Sequence, residues 1–433
     1  MRIAFITAGA AGMYCGSCLR DNALVTALQG LGHDAILIPT YTPIRTDDDD
    51  VSGKTVFYGG INVFLQDKAA LFRHTPRFVD KLLDWRPLLR YVSRFAHRTA
   101  YSELGGLTIS MLQGEHGHQK KELHRLLDWL SSDVKPDVVL LTNVLLSGMV
   151  PEMKRRLNVP VLATLQGDDI FLDGLHPGDR NSCLELIREN CGSLDGLIAT
   201  SASYADHMAV YLGIDRGFIE TIPPGINLKG HGGPKPPRTH DRPVIGFFAR
   251  IAPEKGLHIL VDAFIQLRKS TDAVLRVSGW FGPQHHAYLD EQKAKLAAAG
   301  LLGDFEHVDS PGHADKVQFL NSLDVFALPT VYHEPKGLPV LEAWANGVPV
   351  VLPNHGCFPE LVDATDGGVI VQPGNTPELA SAIGALLTNS ERARGLGNNG
   401  QVAVHARYSA DAMARNTLDH LARFVPMPVA GAA

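Results

Sequence analysis

Cysteine is scarce: five in 433 residues, an odd number, which argues against a disulfide scaffold and for a reducing compartment. Long apolar runs are missing too. The opening MRIAFITAGAAG carries one Arg and an apolar stretch of about six residues, too short for a secretory core and far below the ~20 residues that span a bilayer. A cytoplasmic setting is expected. Nor is basic charge in excess. Forty Lys and Arg against 46 Asp and Glu leave a net charge of −6, so no overall field attracts nucleic acid, which is not an expected partner. What is plentiful is apolar side chain, 45% hydrophobic residues against 20% charged, the balance of a chain that folds unaided. Its length exceeds the roughly 250–300 residues that one core organises, so two domains are expected.

Short β-branched runs at 2–7, 35–38, 138–141, 161–165, 196–200 and 218–222 alternate with helix-length amphipathic stretches. Such alternation predicts a parallel sheet covered by helices on both faces. A Gly/Pro-rich segment without apolar periodicity, 229–242, reads as a linker. Beyond it, runs at 244–249, 274–278, 325–328, 348–352 and 368–371 repeat the rhythm. The expected fold is α/β, with two Rossmann-like, doubly wound domains at 1–228 and 243–405. A C-terminal helix and tail, 406–433, could pack on either. Both halves open with a strand running into a glycine-bearing loop and a helix, through Gly9 and Gly12 in the first and through Arg250 to Gly256 in the second. Ligands gather at the carboxyl ends of strands in open α/β sheets, so the expected site is a cleft between the two domains.

Four other features carry a sharp and a plain reading. Cys15 and Cys18 form a C-x-x-C pair at the head of the first helix, a spacing that lowers a thiol pKa in thioredoxin-like proteins; small residues in a tight loop are the favoured alternative. Residues 71–98 form a basic amphipathic stretch suited to an anionic membrane surface or acceptor, although a solvated surface helix is favoured. The acidic run at 47–50 reads as a solvated loop rather than a metal site. The 58–68 segment, His74, His116 and His118 offer polar groups to sugar hydroxyls, with solvation favoured over catalysis.

The chemistry concentrates between Glu334 and Gly347. Gly337 permits a turn, Pro339 suits a first helical turn, and Asn346-Gly347 stops the helix, so Glu334 falls in a loop and Glu342 on a helix. The amides of Gly337, Leu338 and Val340 are expected to face outward at the helix start, where the macrodipole favours a diphosphate. Glu342 is placed to accept hydrogen bonds from a vicinal diol such as ribose, and Glu334 to reach a sugar. Arg250 and Lys255, on one strand-to-helix turn, can neutralise charge building on a pyrophosphate and so take the place of a metal ion. None is expected.

Glu334-x7-Glu342 with Ala343, Gly347 and Pro349-Val350-Val351, together with Arg250, Lys255-Gly256, Ile222 to Asn227, Gly356 and Pro359 to Val362, resembles the signature of the retaining GT-B glycosyltransferases of family four. The resemblance runs in family order from about residue 164 to 371 and implies a hexosyltransferase. Glu342 would hold the ribose, Arg250 and Lys255 the diphosphate, and Glu334 with the amides of Gly337 and Leu338 the donor sugar and phosphate. Gly12 and Gly16 would form a loop close to the donor, with acceptor contacts from the first domain. Retention in the family uses the donor's leaving phosphate as base. The implied partners are a nucleoside-diphosphate sugar, with UDP-glucose the commonest case, and a carbohydrate, lipid or small-molecule acceptor.

Two positions depart from the pattern. Gln166 stands where many relatives carry His, which leaves Asp168 or Asp169 to carry a proton. Lys336 stands where Phe is common and adds a cation. A sugar-nucleotide epimerase and a sugar phosphorylase share the same frame, and a non-catalytic nucleotide-sugar binder is a third reading. Charges aimed at a leaving group count against a pure binder.

Overall fold

The computed structural model describes residues 1–9, 15–53, 56–57, 104–234, 241–310 and 312–425. Gly12, the 58–68 and 71–98 segments, and His74 lie outside them. The chain forms two compact units, one from Met1–Pro223 with the stretch from Met413, the other from Pro224–Ala412.

In the first unit six strands form a sheet: β1 (Arg2–Thr7), β2 (Asp34–Pro39), β3 (Val138–Leu141), β4 (Val161–Leu165), β5 (Gly196–Ala199) and β6 (Ile219–Thr221). They lie in the order β2-β1-β3-β4-β5-β6, every pair parallel. Every residue of β3, β4 and β5 is buried. That double-sided burial is why these segments read as unbroken apolar runs rather than alternating ones. Among the described residues no helix is long and apolar enough to cross a membrane.

The second unit holds β7 (Val244–Phe248), β8 (Val274–Ser278), β9 (Phe305–Val308), β10 (Val325–Ala327), β11 (Val350–Pro353) and β12 (Gly368–Val371). Their order is β12-β11-β10-β7-β8-β9, again all parallel. Strand β9 was not among the expected runs. Phe-Glu-His-Val pairs with β8 alone and no residue of it is fully buried, so an edge position leaves it without the apolar signature of its neighbours. Residues 224–234, read partly as linker, belong to this unit. Ile226 and Tyr408 share a backbone hydrogen bond of 2.9 Å, and Asn321 Nδ2 donates to the carbonyls of Gly233 and Pro234.

Both sheets reverse direction of growth at one place. The chain adds β8 and β9 on one side of β7 and then returns to place β10 on the other. In the first sheet β2 and β3 flank β1 in the same way. Such a switch point sends the following segments to opposite faces and leaves a crevice at the carboxyl ends of the two central strands. The loops after β7 and β10 are those that carry Arg250, Lys255 and Glu334.

The C-terminal helix Ala410–Leu421 carries the chain back to the first unit at Met413. There Arg423 pairs with Glu220 at 2.7 Å.

Candidate functional site: the two switch-point loops

In the second unit β7 ends in a turn that closes as the short helix Pro253–Lys255 and is followed by Gly256. Gly256 has φ +78°, and a Cβ there would fall 1.8 Å from the carbonyl oxygen of Pro329. Only glycine lets this turn lie against the segment leaving β10. Val331 donates to the backbone carbonyl of Glu254 at 2.9 Å, so the two loops are tied by main chain before any side chain acts.

The side chains then converge. Lys255 Nζ donates to Glu334 Oε2 at 2.7 Å, and the Tyr332 hydroxyl bonds both to that oxygen and to Lys255. The ammonium also lies 4.7 Å from the Tyr332 ring centroid, within cation–π range. Burial by itself would raise the Glu334 carboxyl, but Lys255, Tyr332 and Lys336 overcome it and hold it at about 2. Glu334 is therefore ionised throughout the neutral range. Its loop is gripped from the other side: Cys357 donates to the Glu334 carbonyl at 2.8 Å, and Gly356, at φ +60°, sits so close that a Cβ would lie 2.6 Å from the Glu334 backbone nitrogen and oxygen. His355 stacks on His333 at 5.1 Å, and its Nε2 meets the Thr330 carbonyl at 2.9 Å.

Arg250 is paired with Glu254 across one turn of the same loop. Lys336 is buried. Glu342 lies on the helix Leu338–Ala345, where it receives the Lys316 ammonium at 2.6 Å. Of the three helix-start amides expected to face outward, two are engaged. Gly337 donates to Glu334 Oε1 at 3.3 Å and Val340 to the Gly337 carbonyl at 2.9 Å, because the first turn closes on itself and the Glu334 carboxylate folds back over it.

In the first unit the corresponding loops hold a buried polar network. The Thr142 hydroxyl, just past β3, bonds Asp21, which also receives Arg20 at 3.2 Å and Gln166 Nε2 at 3.0 Å. Gln166 Nε2 further donates to the Thr142 carbonyl at 3.1 Å, so its amide serves this network. Asp168 accepts the amides of Val144 at 2.9 Å and Gln166 at 2.8 Å. Asp169 receives the Tyr204 hydroxyl at 2.6 Å and lies 3.2 Å from His207 Nε2. Gly16 opens the helix Gly16–Gly30. Cys15 and Cys18 are not disulfide-bonded, and the hydrogen bond from Cys15 together with burial pushes the Cys18 thiol well up, the reverse of a thioredoxin-type thiol. Tyr332, Lys316, Asp21, Thr142 and Tyr204 were not found by sequence reasoning. Only the place of Tyr332, two residues before Glu334, offered a local signal.

Burial pushes the Asp168 carboxyl up to about 6. A folded-state value above the unfolded one means that the folded protein holds a proton the unfolded chain has lost, so this group's stabilisation is full below about 4 and fades as pH rises through about 6. Asp168→Asn should remove that slope. Urea unfolding at pH 4.5 and 7 is expected to favour wild type over the variant more at the lower pH; equal differences at both would refute the assignment.

The described residues bring three metal-ligand groups together at Glu115, His124 and Glu152, within 4.8 Å of one another. Lys120 lies 3.0 Å from Glu115 and Arg155 2.7 Å from Glu152, so each carboxylate already faces a cation. The acidic run at 47–50 does not contribute to such a group; Asp49 and Asp50 are exposed.

Comparison with known proteins bears on the family and the fold. Residues 234–403 match the family described as Glycosyl transferases group 1, and residues 105–229 match Glycosyltransferase Family 4. The chain is 31% identical over 220 residues to D-inositol 3-phosphate glycosyltransferase of Nocardia farcinica, covering 47% of each chain. It is 25% identical over 383 residues to a glycogen synthase of Mycobacterium tuberculosis, covering 86% of this chain and 82% of that one. A GDP-mannose-dependent phosphatidylinositol monomannoside mannosyltransferase of the same organism is 29% identical over 47% of this chain and 55% of its own. The match thus spans about half the length of two of these three relatives. Among solved structures, sucrose-phosphate synthase from Thermosynechococcus elongatus superposes with TM-score 0.71 at 18% identity over 98% of this chain and 99% of that one. Anabaena HepE in complex with UDP superposes with TM-score 0.69 at 16% identity over 98% and 100%. Two parallel α/β sheets, matched in succession by two glycosyltransferase family descriptions, place the chain in family four of the GT-B glycosyltransferases.

Proposed function

We propose that the protein transfers a hexose from a nucleoside-diphosphate sugar to an acceptor hydroxyl, with retention of configuration and without a metal ion. The observation that carries this reading is the cluster at the β7/β10 switch point, where Lys255, Glu334 and Tyr332 meet beside the Arg250 turn. Two cations on one turn can take the charge that develops on a departing diphosphate. Glu334, ionised and fixed at both backbone ends, can accept from donor-sugar hydroxyls. Glu342 takes the ribose, and the second unit is thus the donor side. The first unit takes the acceptor role, with Gln166, Asp168 and Asp169 in the loop after β4. Asp168 is held by two backbone amides and the Gln166 amide by Asp21 and Thr142, so both side chains serve contacts within the first unit. The donor's own phosphate then serves as base on the face of attack, as the family resemblance implies.

Uridine is the nucleoside to test first, with guanosine beside it because one relative is named as GDP-mannose-dependent. Thermal unfolding with UDP, GDP and their sugars, each with and without EDTA, should show a shift that survives the chelator; a ligand at 100 times its Kd adds about 2.7 kcal/mol. A shift abolished by EDTA would rule out the metal-free site. Anomeric NMR of the product then reads retention, and donor consumption without any glycoside would instead indicate epimerisation. Glu342→Ala should weaken nucleoside diphosphate binding by roughly tenfold or more, the loss of charge-assisted hydrogen bonds. Unchanged calorimetric affinity would remove Glu342 from the ribose.

A further inference from the structure

Lysine is almost never fully buried unless paired, yet Lys316, on the helix His313–Asn321, is 5% exposed. Its ammonium donates to Glu342 Oε1 at 2.6 Å, and Glu342 is itself 7% exposed. As a structural device such a pair is weak. Desolvating two charges cancels most of their attraction, and a well-packed apolar pair of similar volume stabilises a fold as well or better. The helix carrying Lys316 already contacts the helix of Glu342, and its Phe319 and Leu320 are buried in the same apolar core as Val340 and Leu341. The charge on Lys316 needs another explanation.

We propose that Lys316 is a positioning residue of the nucleotide subsite, holding the buried Glu342 carboxylate ionised and in one orientation for the ribose diol. This inference rests on the assignment of Glu342 to the ribose. A carboxyl group buried with no counter-charge takes up a proton near neutral pH. In that form it becomes a donor with reduced acceptor capacity, unable to receive both hydroxyl protons of a diol. The ammonium at 2.6 Å prevents this. Nearby, Asn346 Nδ2 meets the Glu342 backbone carbonyl and His231 Nδ1, each at 2.9 Å. The His313 ring, 5.4 Å from that of His231, has its Nε2 at the Lys229 carbonyl. The Lys316 charge meets the carboxylate directly.

Calorimetric Kd values for UDP and GDP, measured between pH 6 and 8.5 on wild type, Lys316→Met, Lys316→Gln, Lys316→Arg and Glu342→Gln, test the proposal. The ratio of variant to wild-type Kd cancels the ionisation of the nucleotide's own phosphates. For Lys316→Met and Lys316→Gln this ratio should reach on the order of tenfold to a hundredfold at pH 6 and shrink as pH rises and Glu342 deprotonates. Lys316→Arg should restore a flat profile. Glu342→Gln should bind weakly at every pH. Should either uncharged Lys316 variant bind like wild type throughout, or be weaker by one factor at all pH values, the positioning role is overturned while the reading of the site stands. Wild type binding neither nucleotide would overturn both.

Discussion

Replacing Lys255 by alanine is expected to lower kcat by about two to three orders of magnitude while changing the Kd for the nucleoside diphosphate by less than about tenfold. The asymmetry follows from when the charge is needed. In the ground state a diphosphate beside Lys255 is solvated and its charge spread over several oxygens, whereas glycosidic bond cleavage concentrates negative charge on the leaving oxygen. On the proposed reading the lysine stands opposite that change, positioned in the empty site by Glu334 at 2.7 Å and by Tyr332. The same variant leaves a buried carboxylate without its main counter-charge, which costs about 3–5 kcal/mol of stability. Lys255→Arg separates the two effects, retaining charge and much of the stability. Nucleoside diphosphate release from the donor, with urea unfolding on the same samples, is the measurement. A kcat within about tenfold of wild type in a folded Lys255→Ala protein would dissociate this residue from the leaving group.

The second large effect is expected from a methyl group. Gly256→Ala should destabilise the second unit by about 3 kcal/mol or more and abolish turnover, although the residue offers no chemistry. Its φ of +78° is strained for any other residue, and the added Cβ meets the backbone oxygen of Pro329 at 1.8 Å, an atom that cannot swing aside. Relief comes only by parting the β7 and β10 loops, which pulls Lys255 from Glu334. Gly300 supplies the control, having φ +72° with nothing within 4 Å of its Cβ position. Gly300→Ala should cost only the left-handed conformation, roughly 1 kcal/mol. Equal unfolding free energies for the two variants would show that the close approach at Gly256 does not matter.

How far the sequence led depended on how local each signal was. The central strands were legible because burial on both faces makes them unbroken apolar runs, and the Glu334 loop with the Glu342 helix was legible because glycine, proline and Asn-Gly punctuate it at fixed offsets. Strand β9 was not, since an edge strand of Phe-Glu-His-Val carries neither continuous apolarity nor a buried face. Lys316 lies 26 positions before its partner, and Asp21 lies 145 before Gln166; no periodicity joins residues across such distances. Helix-start amides were read from helix position alone, which could not reveal that the Glu334 carboxylate folds back onto Gly337.

The Lys255–Glu334 bond also bears on how the proposed site would choose among anions. Both cations of the turn already have a carboxylate beside them, Glu254 for Arg250 and Glu334 for Lys255, so an entering phosphate joins occupied ion pairs instead of meeting bare positive charge. On the proposed reading, entry of a diphosphate is an exchange of partners, expected to depend only weakly on ionic strength. In that exchange a diphosphate carries more charge than a single phosphate group and has two phosphates with which to answer two cations. If the site is the proposed one, the same contacts act as a threshold, favouring nucleoside diphosphates over weakly charged anions such as the chloride that surrounds every protein in solution.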